Sequence, residues 1–244
     1  MPQDEDQQIQ ALPVVRVTEV GEFIRYQSCE RRFKLSLNNR ELGRRLPFSE
    51  RLFNTLDPVL QEVGRSAENA WEQRLKNHGL IDLTQIEQRP EDQRATPWAE
   101  FAETISTLEV GQAAYGREIS INGQLGQFPM VGNIDFVLLL WEGEECRLRA
   151  VECKASRKDK TYHRIQLAAY VLMLKQKLDE VPLQVAGQEF GPEIVEGVVA
   201  RIDEVTNEPQ DIVMRPPLRL EIEEADLVRP REHLRFLTVL PADQ

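Results

Sequence analysis

Residues 131–140 constrain the fold of this chain more than any other stretch, because they form an apolar run that contains one acid, Asp135. A strand that is apolar on both faces is expected inside a sheet that is covered on both sides. An ionised carboxylate is costly to bury, so such a group is usually paired, protonated or bound to a metal. The run therefore predicts a buried strand with one acid that needs a partner.

A second strand is predicted over residues 147–154, and its alternation places Glu152 and Lys154 on the same face. Residues 142–144 have the composition of a hairpin turn between the two strands. An antiparallel pairing would bring Asp135 towards Glu152. Two acids and a lysine are then expected to share one small site.

A third acid lies on a helix that is predicted over residues 59–79. Glu68, Trp71 and Leu75 follow each other at helical spacing, so the acid lies on or beside the apolar stripe. Two interpretations stay open. Glu68 is either an inward-facing carboxylate or an acid at the edge of the stripe with its head in water.

The rest of the pattern predicts one domain over residues 14–240 after a disordered tail at 1–13. This domain has a helical part (18–108), a catalytic core (115–180) and C-terminal strands (195–240). Strands are predicted at 14–17, 115–121, 127–140, 195–201 and 212–222, with a turn at Asn122 and Gly123. Short helices are predicted at 51–56 and 98–108, residues 80–97 are expected to be irregular, and a helix at 162–178 carries Gln166 and Tyr170 one turn apart.

Composition bounds the setting of the chain. Its 244 residues are 41% hydrophobic and 29% charged, as in ordinary globular proteins, and no apolar run approaches the ~20 residues that span a bilayer. The acidic N-terminus lacks the pattern of a secretory signal, so we expect a cytoplasmic protein without membrane contact. The net charge of −11 argues against nucleic-acid binding, but residues 16–51 carry nine basic and five acidic side chains. A positive face and an ordinary solvated surface explain these counts equally well.

The motifs run in the order Gly64-x-x-x-Glu68, Gly132-x-Ile-Asp135, Glu152-Cys-Lys154 and Gln166-x-x-x-Tyr170. This order resembles the RecB-like branch of the PD-(D/E)XK nucleases, and residues 26–33 weakly resemble the N-terminal helix of that branch. The resemblance implies an α/β, restriction-endonuclease-like core with a central mixed sheet flanked by helices. It also implies a Mg²⁺- or Mn²⁺-dependent deoxyribonuclease of DNA repair, recombination or defence. Exonuclease activity is the first expectation, and flap or single-strand cleavage is the alternative.

The resemblance also assigns roles. Asp135 and Glu152 are expected to bind the metal together with the main-chain carbonyl of Cys153. Lys154 is expected to orient or activate the attacking water. Many relatives have a histidine where this chain has Glu68, which can still bind the metal or hold a metal-bound water.

Gln166 and Tyr170 match residues that are expected to position Lys154 and the DNA backbone. Phosphate contacts are expected from Arg31, Arg32, Arg157, Lys158 and Lys160. The expected partners are single-stranded DNA or duplex ends, and a helicase or recombination protein.

Iron–sulfur members of the branch pair one N-terminal cysteine with three that follow the Gln-x-x-x-Tyr helix. No cysteine follows Cys153 here, so no iron–sulfur cluster is expected, and Cys29 is predicted to be a buried apolar residue. The alternative function is a catalytically silent DNA-binding or scaffold module of a helicase–nuclease complex. The intact set of Asp135, Glu152 and Lys154 argues against it.

Overall fold

The computed structural model describes residues 13–41, 58–85, 95–158 and 160–218. The helices are α1 (Val17–Arg25), α2 (Glu30–Glu41), α3 (Pro58–Asn77), α4 (Trp98–Ile105) and α5 (Thr161–Glu180). The strands are β1 (Val15–Arg16), β2 (Ile81–Asp82), β3 (Thr96–Pro97), β4 (Ala114–Leu125), β5 (Phe128–Glu142), β6 (Glu145–Lys154), β7 (Leu183–Val185), β8 (Gln188–Phe190) and β9 (Val195–Arg201).

Three long antiparallel strands, β4, β5 and β6, form the centre of a seven-stranded sheet. Strand β9 extends the sheet in parallel beside β6, and the short strands β1, β2 and β3 pair in parallel with β5 or β4. Strands β7 and β8 form a separate hairpin. This mixed sheet with flanking helices confirms the predicted α/β, restriction-endonuclease-like fold.

Each face of the sheet is covered by one hydrophobic cluster. On one face, α1, α4 and α5 pack against residues such as Val137 and Leu139. On the other face, Trp71 and Leu75 of α3 belong to a cluster with Phe136. Burial on both faces explains why residues 136–140 of β5 are uniformly apolar, as the sequence predicted.

Helix α3 ends as the sequence indicates. The N–H of Leu80 donates to the carbonyl of Leu75, and the N–H of Gly79 donates to the carbonyl of Lys76. Gly79 has a φ of +80°, which completes a Schellman motif. Glycine adopts this left-handed conformation without the steric cost that other residues incur.

The predicted turn at Asn122 and Gly123 is wrong. Strand β4 continues to Leu125, and the turn follows at residues 126–127. Gly123 allows α5 to approach closely, because a Cβ there would lie 2.6 Å from Cγ of Met173. The glycine is needed for packing against the helix, a tertiary reason that the local pattern does not reveal.

The strand predicted over residues 212–222 is also wrong for residues 212–218, which form a turn and irregular chain. The Arg149 guanidinium donates to the main-chain carbonyls of Ile212, Val213 and Arg215 at 2.9, 2.6 and 3.0 Å. The chain therefore curls around this buried cation instead of extending. Residues 219–222 and the helix predicted at 51–56 lie outside the described residues.

Two further observations concern exposure. Cys29 is exposed, which corrects its predicted burial, because it lies in the short connection between α1 and α2 and not on their packed faces. None of the helices in the described ranges is both long and apolar enough to cross a membrane.

Candidate active site

Three acids lie at the same level of three adjacent strands. In the β4–β5 register, Arg117 pairs with Phe136 and Ile119 with Ile134, so Glu118 lies opposite Asp135. The β5–β6 register ends at Phe136 and Val151, and one step further Asp135 lies opposite Glu152. Glu118, Asp135 and Glu152 thus form a row across the sheet.

The backbone is distorted at this row. Glu118 has a φ of +55°, a left-handed conformation that is rare for a residue other than glycine. In both strands the alternation changes phase here, because Ala114 and Ile119 of β4, and Ile134 and Val137 of β5, belong to one hydrophobic cluster although the positions in each pair differ in parity. Such outliers persist only where the surroundings enforce them, and they concentrate at functional sites.

Asp135 is held by the neighbouring strand. The main-chain N–H of Cys153 donates to its Oδ2 at 2.6 Å. Burial, and then the charge of Glu152, raise the pKa of Asp135 well above its usual range. An isolated pair of carboxylates is therefore unfavourable here, and a cation would stabilise it.

Glu152 and Lys154 point to the same side of β6, as predicted, and the Lys154 ammonium contacts Oε1 of Glu152. Glu152 is 3% exposed, and its Oε2 is buried without a hydrogen-bond partner among the described residues. Burial raises the pKa of Glu152, although Lys154 acts in the opposite direction. For Lys154, burial favours the neutral form, but the charges of Glu152 and Asp135 prevail and raise its pKa.

Glu68 lies beside this row but is bound elsewhere. Its Oε2 accepts a hydrogen bond from Nη2 of Arg117 at 2.9 Å, and its side chain is 25% exposed. Nη1 of Arg117 donates to Glu72 and to Asn69, both at 2.8 Å. Arg117 thus holds the Glu68 carboxylate at the edge of the site. The side chain neither points fully inward nor lies with its head free in water.

Gln166 and Tyr170 each pack on a glycine. A Cβ on Gly132 would lie 2.7 Å from Cε1 of Tyr170, and a Cβ on Gly21 would lie 2.6 Å from Cγ of Gln166. Tyr170 forms a hydrogen bond with the main chain of Asn133, two residues before Asp135. Burial and the charges of Glu152 and Asp135 raise the pKa of Tyr170. The structure thus places Tyr170 beside the acids and Gln166 against α1.

Sequence reasoning missed Arg117 and Glu118. Burial, and then the charge of Glu68, raise the pKa of Glu118. A signal was present, because two adjacent charged residues interrupt the predicted strand 115–121 and both cannot face solvent. This signal indicates an irregular strand, but it does not show which acids Arg117 and Glu118 lie beside.

The predicted phosphate-binding residues have different surroundings. Arg157 donates to Oδ1 of Asn207 at 2.5 Å, and Lys158 beside it is exposed. Arg32 and Lys160 instead lie over the rings of Tyr26 and Tyr162. Arg31 is exposed on α2.

A cavity of about 1260 Å³ opens beside the acids. Glu118, Asp135 and Tyr170 line one part of it, and Trp98 and Lys177 line another. The part of the site at Glu118 and Asp135 is therefore accessible to a molecule larger than water along the face that carries α4 and α5.

The residues suit a cation with few protein ligands. In the described ranges, no three His, Cys, Asp or Glu side chains converge closely enough to hold a metal ion. Mg²⁺ usually binds through one or two carboxylates and keeps several waters. Asp135 and Glu152 fit this mode of binding, because Oε2 of Glu152 has no hydrogen-bond partner among the described residues.

A mixed sheet that carries a row of acids, with a lysine two residues beyond one of them, defines a restriction-endonuclease-like domain. The model of the PD-(D/E)XK nuclease superfamily matches residues 22–226, and the chain belongs to this superfamily. No curated protein sequence matches the chain. The chain is also similar to a solved structure, "Crystal structure of SSO0001", with 16% sequence identity and a TM-score of 0.44 over 97% of this chain and 82% of that one.

Proposed function

We propose that the protein is a metal-dependent deoxyribonuclease that hydrolyses phosphodiester bonds. The observation that carries the proposal is the buried contact of Lys154 with Glu152, one strand away from Asp135. Each residue alone has a structural explanation. Together they place two carboxylates and one ammonium group in a buried site. Burial raises the pKa of both acids, so a further cation would stabilise their ionised forms.

Asp135, Glu152 and the main-chain carbonyl of Cys153 would hold Mg²⁺ or Mn²⁺, because hard cations prefer carboxylate, carbonyl and water oxygens. The bound ion would polarise the phosphate and lower the pKa of water. The N–H of Cys153 fixes Oδ2 of Asp135, so its other oxygen is oriented before a cation arrives.

Lys154 is proposed to orient the attacking water and to stabilise charge that develops on the phosphate oxygens. An ammonium group is a donor only, and Glu152 holds it in place. Glu68, fixed by Arg117, is proposed to accept a hydrogen bond from solvent of the site. Tyr170 and Gln166 are proposed to position the strand and the lysine.

The resemblance to the RecB-like branch supports finer proposals. We propose that the enzyme acts on single-stranded DNA or duplex ends, first as an exonuclease. Repair, recombination or defence in the cytoplasm, with a helicase or recombination partner, are the corresponding settings. The absence of an iron–sulfur cluster stays a prediction from the cysteine pattern.

The test uses end-labelled single-stranded and double-stranded DNA with Mg²⁺, Mn²⁺ or EDTA. The wild-type protein is expected to cleave with either metal and not in EDTA. The Lys154→Ala variant should lose cleavage, whereas Lys175→Ala, on the half-buried surface of α5, should retain it. Cleavage in EDTA, or full activity of Lys154→Ala, would refute the mechanism. DNA binding without cleavage would favour the silent scaffold module.

A further inference from the structure

Aromatic rings and cations alternate in a cluster that joins the end of α1 to the start of α5. The guanidinium of Arg32 lies 3.7 Å from the ring centroid of Tyr26. Arg25 lies 5.6 Å from the centroids of both Tyr26 and Tyr162, and Nζ of Lys160 lies 5.6 Å from that of Tyr162. We call these five residues the stacking cluster.

The stacking cluster is on the surface. Tyr26 is 37% exposed, Arg25 and Lys160 are exposed, and Tyr162 is half-buried. Neither tyrosine belongs to the two hydrophobic clusters that cover the sheet. Both rings thus lie outside these two clusters and beside positive charges, with the Arg32 guanidinium over one face of Tyr26.

The cluster is close to the candidate active site along the chain. The connection between β6 and α5 joins Lys154 to Lys160, and six residues span at most about 20 Å. A strand whose phosphate lies at Lys154 can therefore reach the cluster with an adjoining segment.

Resting on the proposed nuclease function, we propose that the stacking cluster binds unpaired nucleobases of the substrate strand. Bases would stack on Tyr26 and Tyr162, and the three cations would contact phosphates. Stacking on aromatic side chains contributes about 1–3 kcal/mol per base and tolerates any sequence. A duplex covers the faces of its bases with neighbouring bases, so this surface favours single-stranded DNA over the interior of a duplex.

The test compares Tyr26→Ala and Tyr162→Ala with Tyr26→Phe and Tyr162→Phe, which keep the ring. Fluorescence anisotropy in EDTA measures binding of a labelled single strand without cleavage. Since every variant keeps the same acids, differences report on the cluster. Each alanine variant is expected to raise Kd roughly 5- to 150-fold, and each phenylalanine variant to change it little.

An abasic strand of equal length separates bases from phosphates. The wild-type protein should bind it more weakly, and the alanine variants should bind it no worse than the wild type does. Equal loss on the normal and abasic strands would overturn base stacking in favour of phosphate contact. Unchanged binding of the normal strand by both alanine variants would overturn the proposal too.

The contribution of charge is tested with Arg25→Gln. In a plot of the logarithm of the binding constant against the logarithm of salt concentration, this variant should make the negative slope shallower by about 0.7 on single strands. The matched control is Arg147→Gln, since Arg147 lies at the opposite end of β6 from Lys154 and pairs with Glu145. If Arg147→Gln makes the slope shallower by as much, the assignment of the phosphate contact to Arg25 is overturned.

If the wild-type protein cleaves DNA but the tyrosine-to-alanine variants bind it as tightly, the nuclease function stands and the stacking proposal falls. If the wild type neither binds nor cleaves DNA, both fall.

Discussion

The contact between Gly132 and Tyr170 leads to a quantitative prediction. A Cβ on residue 132 would lie 2.7 Å from Cε1 of Tyr170, 3.0 Å from Cγ2 of Val17 and 3.1 Å from the Tyr170 hydroxyl. Carbon atoms in contact normally lie about 3.5–4.0 Å apart. The Gly132→Ala variant must therefore displace the ring, which is 3% exposed and packed in the core.

Overpacking of a dense core costs about 1–3 kcal/mol. The smaller entropy of the unfolded alanine chain offsets about 0.4–1 kcal/mol of this cost. We expect a net loss of about 1–2 kcal/mol in the free energy of unfolding, and a fall in Tm of about 2–4 °C per kcal/mol. Nuclease activity should fall as well, because Tyr170 lies beside Asp135 and Glu152.

Urea unfolding measures the effect, with Gly64→Ala as the matched control. Apart from its chain neighbours and the backbone of its own helix, no atom of the described residues lies within 4 Å of a Cβ on Gly64, and the residue lies inside α3. This control should gain about 0.5–1 kcal/mol from helix propensity. In a Tyr170→Ala background, Gly132→Ala should cost less, because of these contacts only the one with Val17 at 3.0 Å remains. An equal cost with and without the tyrosine ring would refute the steric argument.

Three other perturbations test the site. Arg117→Met should cost about 1–3 kcal/mol in urea unfolding, because buried Glu72 loses this partner and keeps only Lys76 and Tyr115 among the described residues. Arg74→Met should cost under about 1 kcal/mol, because the Arg74–Glu208 pair is more exposed; equal costs would contradict the difference in burial. Burial raises the pKa of Glu152 in the folded protein, so the native state keeps this proton at a pH where the unfolded state has lost it. The free energy of unfolding should therefore fall as pH rises from about 4.3 through that raised pKa. Glu152→Gln should therefore gain stability relative to wild type with rising pH in EDTA, and a flat difference would contradict the raised pKa. Cys29 is exposed, whereas burial raises the pKa of Cys146 to about 11, so mass spectrometry should find iodoacetamide on Cys29 first at pH 8; faster labelling of Cys146 would contradict this burial.

The sequence predicted the strands that carry Asp135, Glu152 and Lys154 because their signals are local. Two-sided apolarity indicates burial, and alternation with a short turn gives the antiparallel pairing. Arg149 shows why other parts were missed, since it determines the path of residues 212–215 from more than 60 positions away. The fixation of Glu68 by Arg117 likewise depends on the packing of α3 against β4, which no local pattern contains.

The row of acids also limits which insertions and deletions the gene can accept. Two tight turns, at residues 126–127 and 143–144, set the register of β4, β5 and β6. One residue added inside a strand would move each following side chain to the opposite face and separate Glu118, Asp135 and Glu152. A residue added at either turn would only enlarge a loop. Length variation among functional homologues is therefore expected at the turns and not between a turn and its acid.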